Sequence, residues 1–247
     1  MFDLSSVIVI AATFLLAGAV KGVIGLGLPT LSLGLLAATL DLTTAMALLI
    51  IPSFMTNLWQ AIAGGKALEL LRRLWPFLLM ATLTVLAGAT ALTRLDLALL
   101  SILLGGLLVC YSLLSLVGFH MSISSQAEPW AGPVFGTVNG ILTGMTGSFV
   151  VPGVMYLQSI GLPRDTLVQA MGILFTASTL ALAFALHTNN LLTPELGLVS
   201  AMAVVPAAVG MVAGQRIRRK LPEARFRQIF FIGILLLGVY IILQTLL

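Results

Sequence analysis

Charge is scarce in this chain. Only 8% of its 247 residues are Asp, Glu, Lys or Arg, while 60% are hydrophobic. Ordinary soluble domains carry about 25% charged residues, so a water-facing globule or soluble enzyme of this size is excluded. Cysteine is nearly absent. Cys110 stands alone in an apolar run, which excludes a disulfide framework and a thiol metal site. The two histidines, His120 and His187, stand apart from each other and from any Cys or carboxylate cluster, so no metal or other cofactor is expected. No Gly-x4-Gly-Lys-Ser/Thr segment occurs, which argues against ATP-driven chemistry within the chain. The start, Met-Phe-Asp-Leu, lacks the basic region of a signal peptide, and the first apolar stretch is expected to be retained.

Long apolar runs fill the space that charge leaves. Eight hydrophobic blocks are expected, at 4–38, 43–63, 74–93, 97–119, 131–160, 166–187, 195–215 and 228–247. At about 1.5 Å per residue, six of them suit one crossing of a hydrocarbon core about 30 Å thick. The blocks 4–38 and 131–160 are too long for one helix, and Gly and Pro interrupt both. Six of the twelve basic residues, Arg216, Arg218, Arg219, Lys220, Arg225 and Arg227, fall between two apolar blocks. That is the mark of a cytoplasmic loop under the positive-inside rule. It accounts for the net charge of +4 without a nucleic-acid partner.

The two long blocks resemble each other. Gly18-Ala-Val-Lys-Gly22 aligns with Gly136-Thr-Val-Asn-Gly140, which sets Lys21 against Asn139. Further on, Ala45-Met46-Ala47 aligns with Ala170-Met171-Gly172, and Ser53 with Ser178. This order is expected of a duplication of about 120 residues. Loop charge gives the orientation. The stretch with Lys66, Arg72 and Arg73 is basic, while its counterpart near His187 to Glu195 has no Lys or Arg. The stretch 216–227 is basic, while its counterpart, Thr93 to Leu97, has only Arg94 beside Asp96. Alternating bias is what opposite orientations produce. The expected fold is therefore an all-α polytopic membrane protein in two inverted repeats, 1–120 and 131–247, joined by a loop at 121–130. A broken or re-entrant helix opens each half. Four single spans separate the basic stretches, so 131–160 must cross an even number of times, as a hairpin or two short helices. The competing reading is one long tilted helix.

The candidate site lies at the interruptions. Gly25, Gly27, Pro29 and Thr30 mark the first; Asn139, Thr143, Gly144, Thr146, Gly147, Ser148 and Pro152 mark the second. Backbone broken inside a membrane must be satisfied by protein or line a cavity. Broken helices can aim free N–H groups and the positive end of a helix dipole at an anion. The two breaks are expected to meet at mid-membrane. Lys21 is the one charge far from an expected loop. A lysine inside a span reads as an anion partner or a proton-linked cation, or else as a side chain snorkelling to the interface. The following spans carry Ser53 and Asn57, Thr176 and Ser178, neutral groups that hydrogen-bond an oxyanion without trapping it, or that join helices. Glycines four apart, Gly18/Gly22, Gly136/Gly140/Gly144 and Gly210/Gly214, read as close helix contacts.

At Lys21-Gly-Val-Ile-Gly-Leu-Gly-Leu-Pro-Thr-Leu31 and Gly136-x3-Gly140-x3-Gly144-x2-Gly147-x4-Pro152, the chain resembles the TauE/SafE sulfite exporter family. The first block has a shorter glycine run before the proline than the common family form. The resemblance spans the whole chain and implies a bacterial cytoplasmic-membrane permease, not an enzyme. Its implied partners are sulfite, organosulfonates or related anions, the lipid bilayer, and a proton or sodium ion as coupling candidate. The competing classes are an anion channel or a non-transporting scaffold. A serine-protease pair of Ser148 and His187 is the weakest, because the two lie in different spans.

Overall fold

A computed structural model describes residues 3–119, 121–218 and 223–247. The described chain is helical without strands. In order it forms α1 (Leu4–Ile24), α2 (Leu28–Thr39), α3 (Leu42–Ala63), α4 (Ala67–Ala89), a 3-10 turn (Thr90–Thr93) and α5 (Leu97–Val117). Then follow α6 (Glu128–Thr146), α7 (Gly153–Ser159), α8 (Arg164–Thr188), α9 (Pro194–Met202), α10 (Val204–Arg218) and α11 (Glu223–Leu246). Among the described residues, seven helical runs are long and apolar enough to cross a membrane: Leu4–Ile24, Leu42–Ala63, Ala67–Thr93, Leu97–Val117, Arg164–Thr188, Pro194–Arg218 and Arg225–Leu246. The chain is an all-α polytopic membrane protein.

Both long blocks break where glycine and proline interrupt them. α1 ends at Gly25, whose φ of 86° needs no side chain and whose N–H donates to the Lys21 carbonyl at 2.8 Å. Gly27, at φ 107°, opens α2, and Pro29 sits in that helix's first turn, where a missing N–H costs nothing. α6 ends the same way, at Gly147 with φ 74° and its N–H on the Thr143 carbonyl at 2.7 Å. Residues 147–152 are irregular, and α7 follows. One long tilted helix over 131–160 is thereby excluded.

Two compact units divide the chain, and each draws helices from both sequence halves. The first comprises Met1–Pro52, Asp96–Phe119 and Leu191–Leu247. In it α1 packs along α10, and α11 packs on α5 and α2. A methyl at Gly18 would collide with the Ala207 carbonyl oxygen, and one at Gly22 with that of Met211. α1 and α10 therefore run parallel, and glycine lets their backbones touch.

The second unit comprises Ser53–Leu95 and His120–Asn190. In it α6 packs along α4. A methyl at Gly136 would collide with the Phe77 carbonyl oxygen, while at Gly140 it would lie 2.7 Å from that of Ala81. The spacing is the one seen in the first unit: two glycines four apart, set on two carbonyls four apart, in parallel helices.

A cluster at one end of this unit fixes the course of α6 and α7. Arg73 donates to both carboxylate oxygens of Glu128, at 2.9 and 2.6 Å, and to the Ile160 carbonyl at 3.2 Å. The Ile123 N–H also donates to the Ser159 carbonyl at 3.0 Å. The start of α6 and the end of α7 thus share one guanidinium, and the segment returns to the end where it began.

Two expectations need correction. Arg72 and Arg73 belong to α4, not to a loop. Ala67-Leu-Glu-Leu-Leu-Arg-Arg is built of strong helix formers and starts its helix at once after the Gly64–Gly65 turn. Likewise Arg216 and Arg218 close α10, where a cation favours the helix terminus, and Arg225 and Arg227 lie in α11. Arg219 and Lys220 lie outside the described residues. The second correction concerns depth. Gly22 lies level with Met211 and Gly214 near the end of α10, and Gly144 level with Val85 and Ala89 near the end of α4. Each break thus falls towards the end of a span, because α1 and α6 are each nearly long enough to traverse it.

Candidate functional site

In the first unit, Lys21 is 5% exposed in the last turn of α1. Free carbonyls at a helix C-terminus favour a cation there. A snorkelling lysine keeps its ammonium in water or among headgroups, and this burial does not fit one. Gly25 and Gly27 form the turn beyond it. A Cβ on Gly27 would stand 3.0 Å from Val20 Cγ1 and 3.1 Å from the Phe230 ring, so the turn is closely packed. Pro29 and Thr30 are buried in the first turn of α2.

In the second unit, side chains of α6 hold the irregular segment. Thr143 Oγ1 donates to the Ser148 carbonyl at 2.9 Å. Thr146 Oγ1 donates to the Leu142 carbonyl at 2.7 Å and accepts the Ser148 N–H at 3.2 Å. Asn139 Oδ1 accepts the Gly153 N–H at 2.9 Å. These bonds satisfy backbone that the break exposes, as an apolar surrounding requires. They also engage the hydroxyl hydrogens of Thr143 and Thr146. Gly144 lies against α4, Pro152 joins Val151 through a cis peptide bond, and Ser148 is buried.

The helices α3 and α8 differ in what they leave over. On α3, Asn57 Nδ2 donates to Ser53 Oγ at 2.9 Å, and both residues are fully buried. On α8, Thr176 and Thr179 turn their hydroxyls back onto the carbonyls of Gly172 and Phe175, at 2.7 and 2.6 Å. Ser178, between them, does not. Its Oγ is buried without a hydrogen-bond partner, and so is Asn139 Nδ2. The bond to Gly153 fixes the Asn139 amide with its NH2 turned the other way. A Cβ on Gly153 would meet Asn139 Oδ1 at 2.5 Å and Leu174 Cδ2 at 3.0 Å, and Phe149 contacts Phe175 with ring centroids 5.9 Å apart. Ser178 stands one turn beyond Leu174 on the same face of α8. Buried polar groups are nearly always paired, and these two, on helices that each pack near the helix break, are left without a partner.

Sequence reading overlooked several buried polar residues, among them Gln169, Ser200 and Tyr111. Gln169 ties the α3–α4 turn, donating to the Ala61 carbonyl at 2.7 Å and accepting the Lys66 N–H at 3.0 Å. Ser200, on α9, bonds to α3. Tyr111, on α5, has a buried hydroxyl without a partner and packs edge-on against Phe231. A polar residue in an apolar block was the available signal, but only packing names its partner. His187 lies in the exposed last turn of α8, about 18 Å of helix beyond Phe175, well out of reach of the break and Ser148. No metal-binding cluster of His, Cys, Asp or Glu occurs among the described residues.

The sequence pattern of the sulfite exporter TauE/SafE family matches residues 10–241. No curated protein and no solved structure matches the chain. The match takes in both helix breaks, five of the seven apolar spans whole and most of the first and last, and the chain belongs to the TauE/SafE sulfite exporter family.

Proposed function

We propose that this protein is a secondary transporter of small oxyanions, sulfite and organosulfonates foremost, across the bacterial cytoplasmic membrane. The observation that carries the reading is the pair of buried orphan donors, Asn139 Nδ2 and Ser178 Oγ, beside the break at 147–152. Neutral donors in an apolar setting bind an oxyanion through hydrogen bonds without holding it as tightly as a fixed ion pair would. Thr143, Thr146, Gly144, Gly147, Ser148 and Pro152 keep the break in shape. Ser53, Asn57 and Thr176 extend the polar lining. Lys21, with Gly25, Gly27, Pro29 and Thr30, supplies positive charge to the anion's path at the other break. The halves 1–120 and 131–247 serve as inverted repeats, and a proton or sodium gradient drives turnover.

Uptake into proteoliposomes, run with sulfite, thiosulfate, sulfoacetate and sulfate under imposed proton or sodium gradients, tests this. Saturable uptake that one gradient accelerates is expected. Current that rises linearly with anion concentration identifies a channel instead, and no flux of any of the four sinks the reading.

A further inference from the structure

A proline stands in the middle of α3. Pro52 has no N–H, so the carbonyl four residues back, at Leu48, loses its helical donor. In the first unit that carbonyl is not left bare. Ser200 Oγ donates to the Leu48 oxygen at 2.8 Å and accepts the Ile51 N–H at 3.1 Å. Ser200 is fully buried and lies 152 positions away in sequence. Its hydroxyl stands in for the missing amide at the one place where α3 cannot complete its own ladder. The division between compact units also falls at this point, after Pro52. The next residues of α3 are Ser53, bonded to Asn57, both among the candidate lining groups. α8, the counterpart of α3 in the second half, has no proline.

We infer that Pro52 and Ser200 form a hinge in α3 and that Ser200 is a positioning residue of the transport cycle, completing the backbone ladder of α3 at Pro52 without touching the anion. This rests on the transporter reading. A serine hydroxyl suits the task. It exchanges one bond at a time between a carbonyl and an amide, whereas an alanine at 52 would restore a stiff helix with a permanent bond to Leu48.

The test is a double-mutant cycle of Ser200→Ala and Pro52→Ala, with Ser200→Thr as the conservative variant, in proteoliposomes with labelled sulfite. Ser200→Ala leaves a buried carbonyl unpaired, and maximal uptake should fall about tenfold at unchanged half-saturation. Ser200→Thr should recover most of the rate. Pro52→Ala supplies the missing N–H, so adding Ser200→Ala to it should change nothing further. Backbone hydrogen exchange over residues 48–52 is the second readout. It should be about tenfold faster in Ser200→Ala and return to the parent value in the double variant. Normal uptake by Ser200→Ala, an equal change in half-saturation and rate, or additive effects in the cycle overturn the hinge. If the parent moves no anion, the transporter reading fails, and the exchange experiment alone then decides whether Ser200 completes α3 at Pro52.

Discussion

Individual side chains here divide into those bonded within the protein and those that lack a partner there, and mutation separates the two kinds. Ser178→Ala removes a buried hydroxyl that has no partner in the protein, so it should leave folding unchanged or slightly stabilised. The same substitution should weaken oxyanion affinity by about 0.5–3 kcal/mol. Thermal unfolding in detergent and the half-saturation of uptake measure both sides. Loss of stability together with loss of affinity would mark Ser178 as structural. Asn139→Asp retains the oxygen that accepts from Gly153 and replaces the free NH2 by negative charge, so it should abolish uptake while the fold survives. Lys21→Met should likewise stop transport, with helical content in detergent checking that the fold is kept. Lys21→Arg should restore only part of the rate, because the guanidinium fork has a different reach. Normal transport by Lys21→Met would remove Lys21 from the anion's path. The sequence marked Lys21, Asn139 and Ser178 as candidates. It could not show that Thr143, Thr146 and Thr176 direct their hydrogens at carbonyls, since that choice depends on where the backbone bends.

At the scale of helices, two pairs are held by glycine, and here sequence foretold most. Gly18/Gly22 and Gly136/Gly140 signalled close contacts, and both pairs meet carbonyls at the same spacing. The partners, α10 and α4, were not legible, since each lies in the other half of the chain. Gly25, Gly147 and the prolines foretold both breaks. Their depth was hidden, because it depends on the register of α1 against α10 and of α6 against α4. Pro52 in α3 was passed over in the sequence, and only packing names Ser200 as the donor to the Leu48 carbonyl. A substitution series tests the glycine pairs. Gly144→Ala would press a methyl into the Val85 carbonyl, and Gly214→Ala into that of Ala19. Each should lower stability by about 1–3 kcal/mol. Gly106→Ala and Gly233→Ala, where no atom lies within 4 Å, should be neutral or gain up to about 1 kcal/mol in helix propensity. Equal effects at all four sites would show that α1–α10 and α4–α6 do not depend on backbone contact.

For the whole molecule, the proposed opposed orientation of the halves makes the sharpest prediction, and it is argued from loop charge and local geometry. Arg216 and Arg218 close α10, and basic helix ends stay in the cytoplasm. The basic start of α4, with Arg72 and Arg73, belongs on the same side by the same rule. Glu128 and Ile160 both bond to Arg73, so both ends of the α6–α7 hairpin go with it. Counting spans outward from there, the turn between α4 and α5 and the end of α8 are expected to face outside. In a Cys110→Ser background, cysteines at Glu69, Ser125 and Arg225 should resist an impermeant maleimide added to intact spheroplasts. All three should react in inverted vesicles. Cysteines at Leu95 and Thr188 should do the reverse. Protection at Ser125 is the most informative result. If α6 and α7 crossed an odd number of times, Ser125 and Arg225 could not both be shielded, because only spans of fixed parity lie between them. Labelling of Ser125 from outside, with Arg225 protected, would therefore leave the two halves parallel.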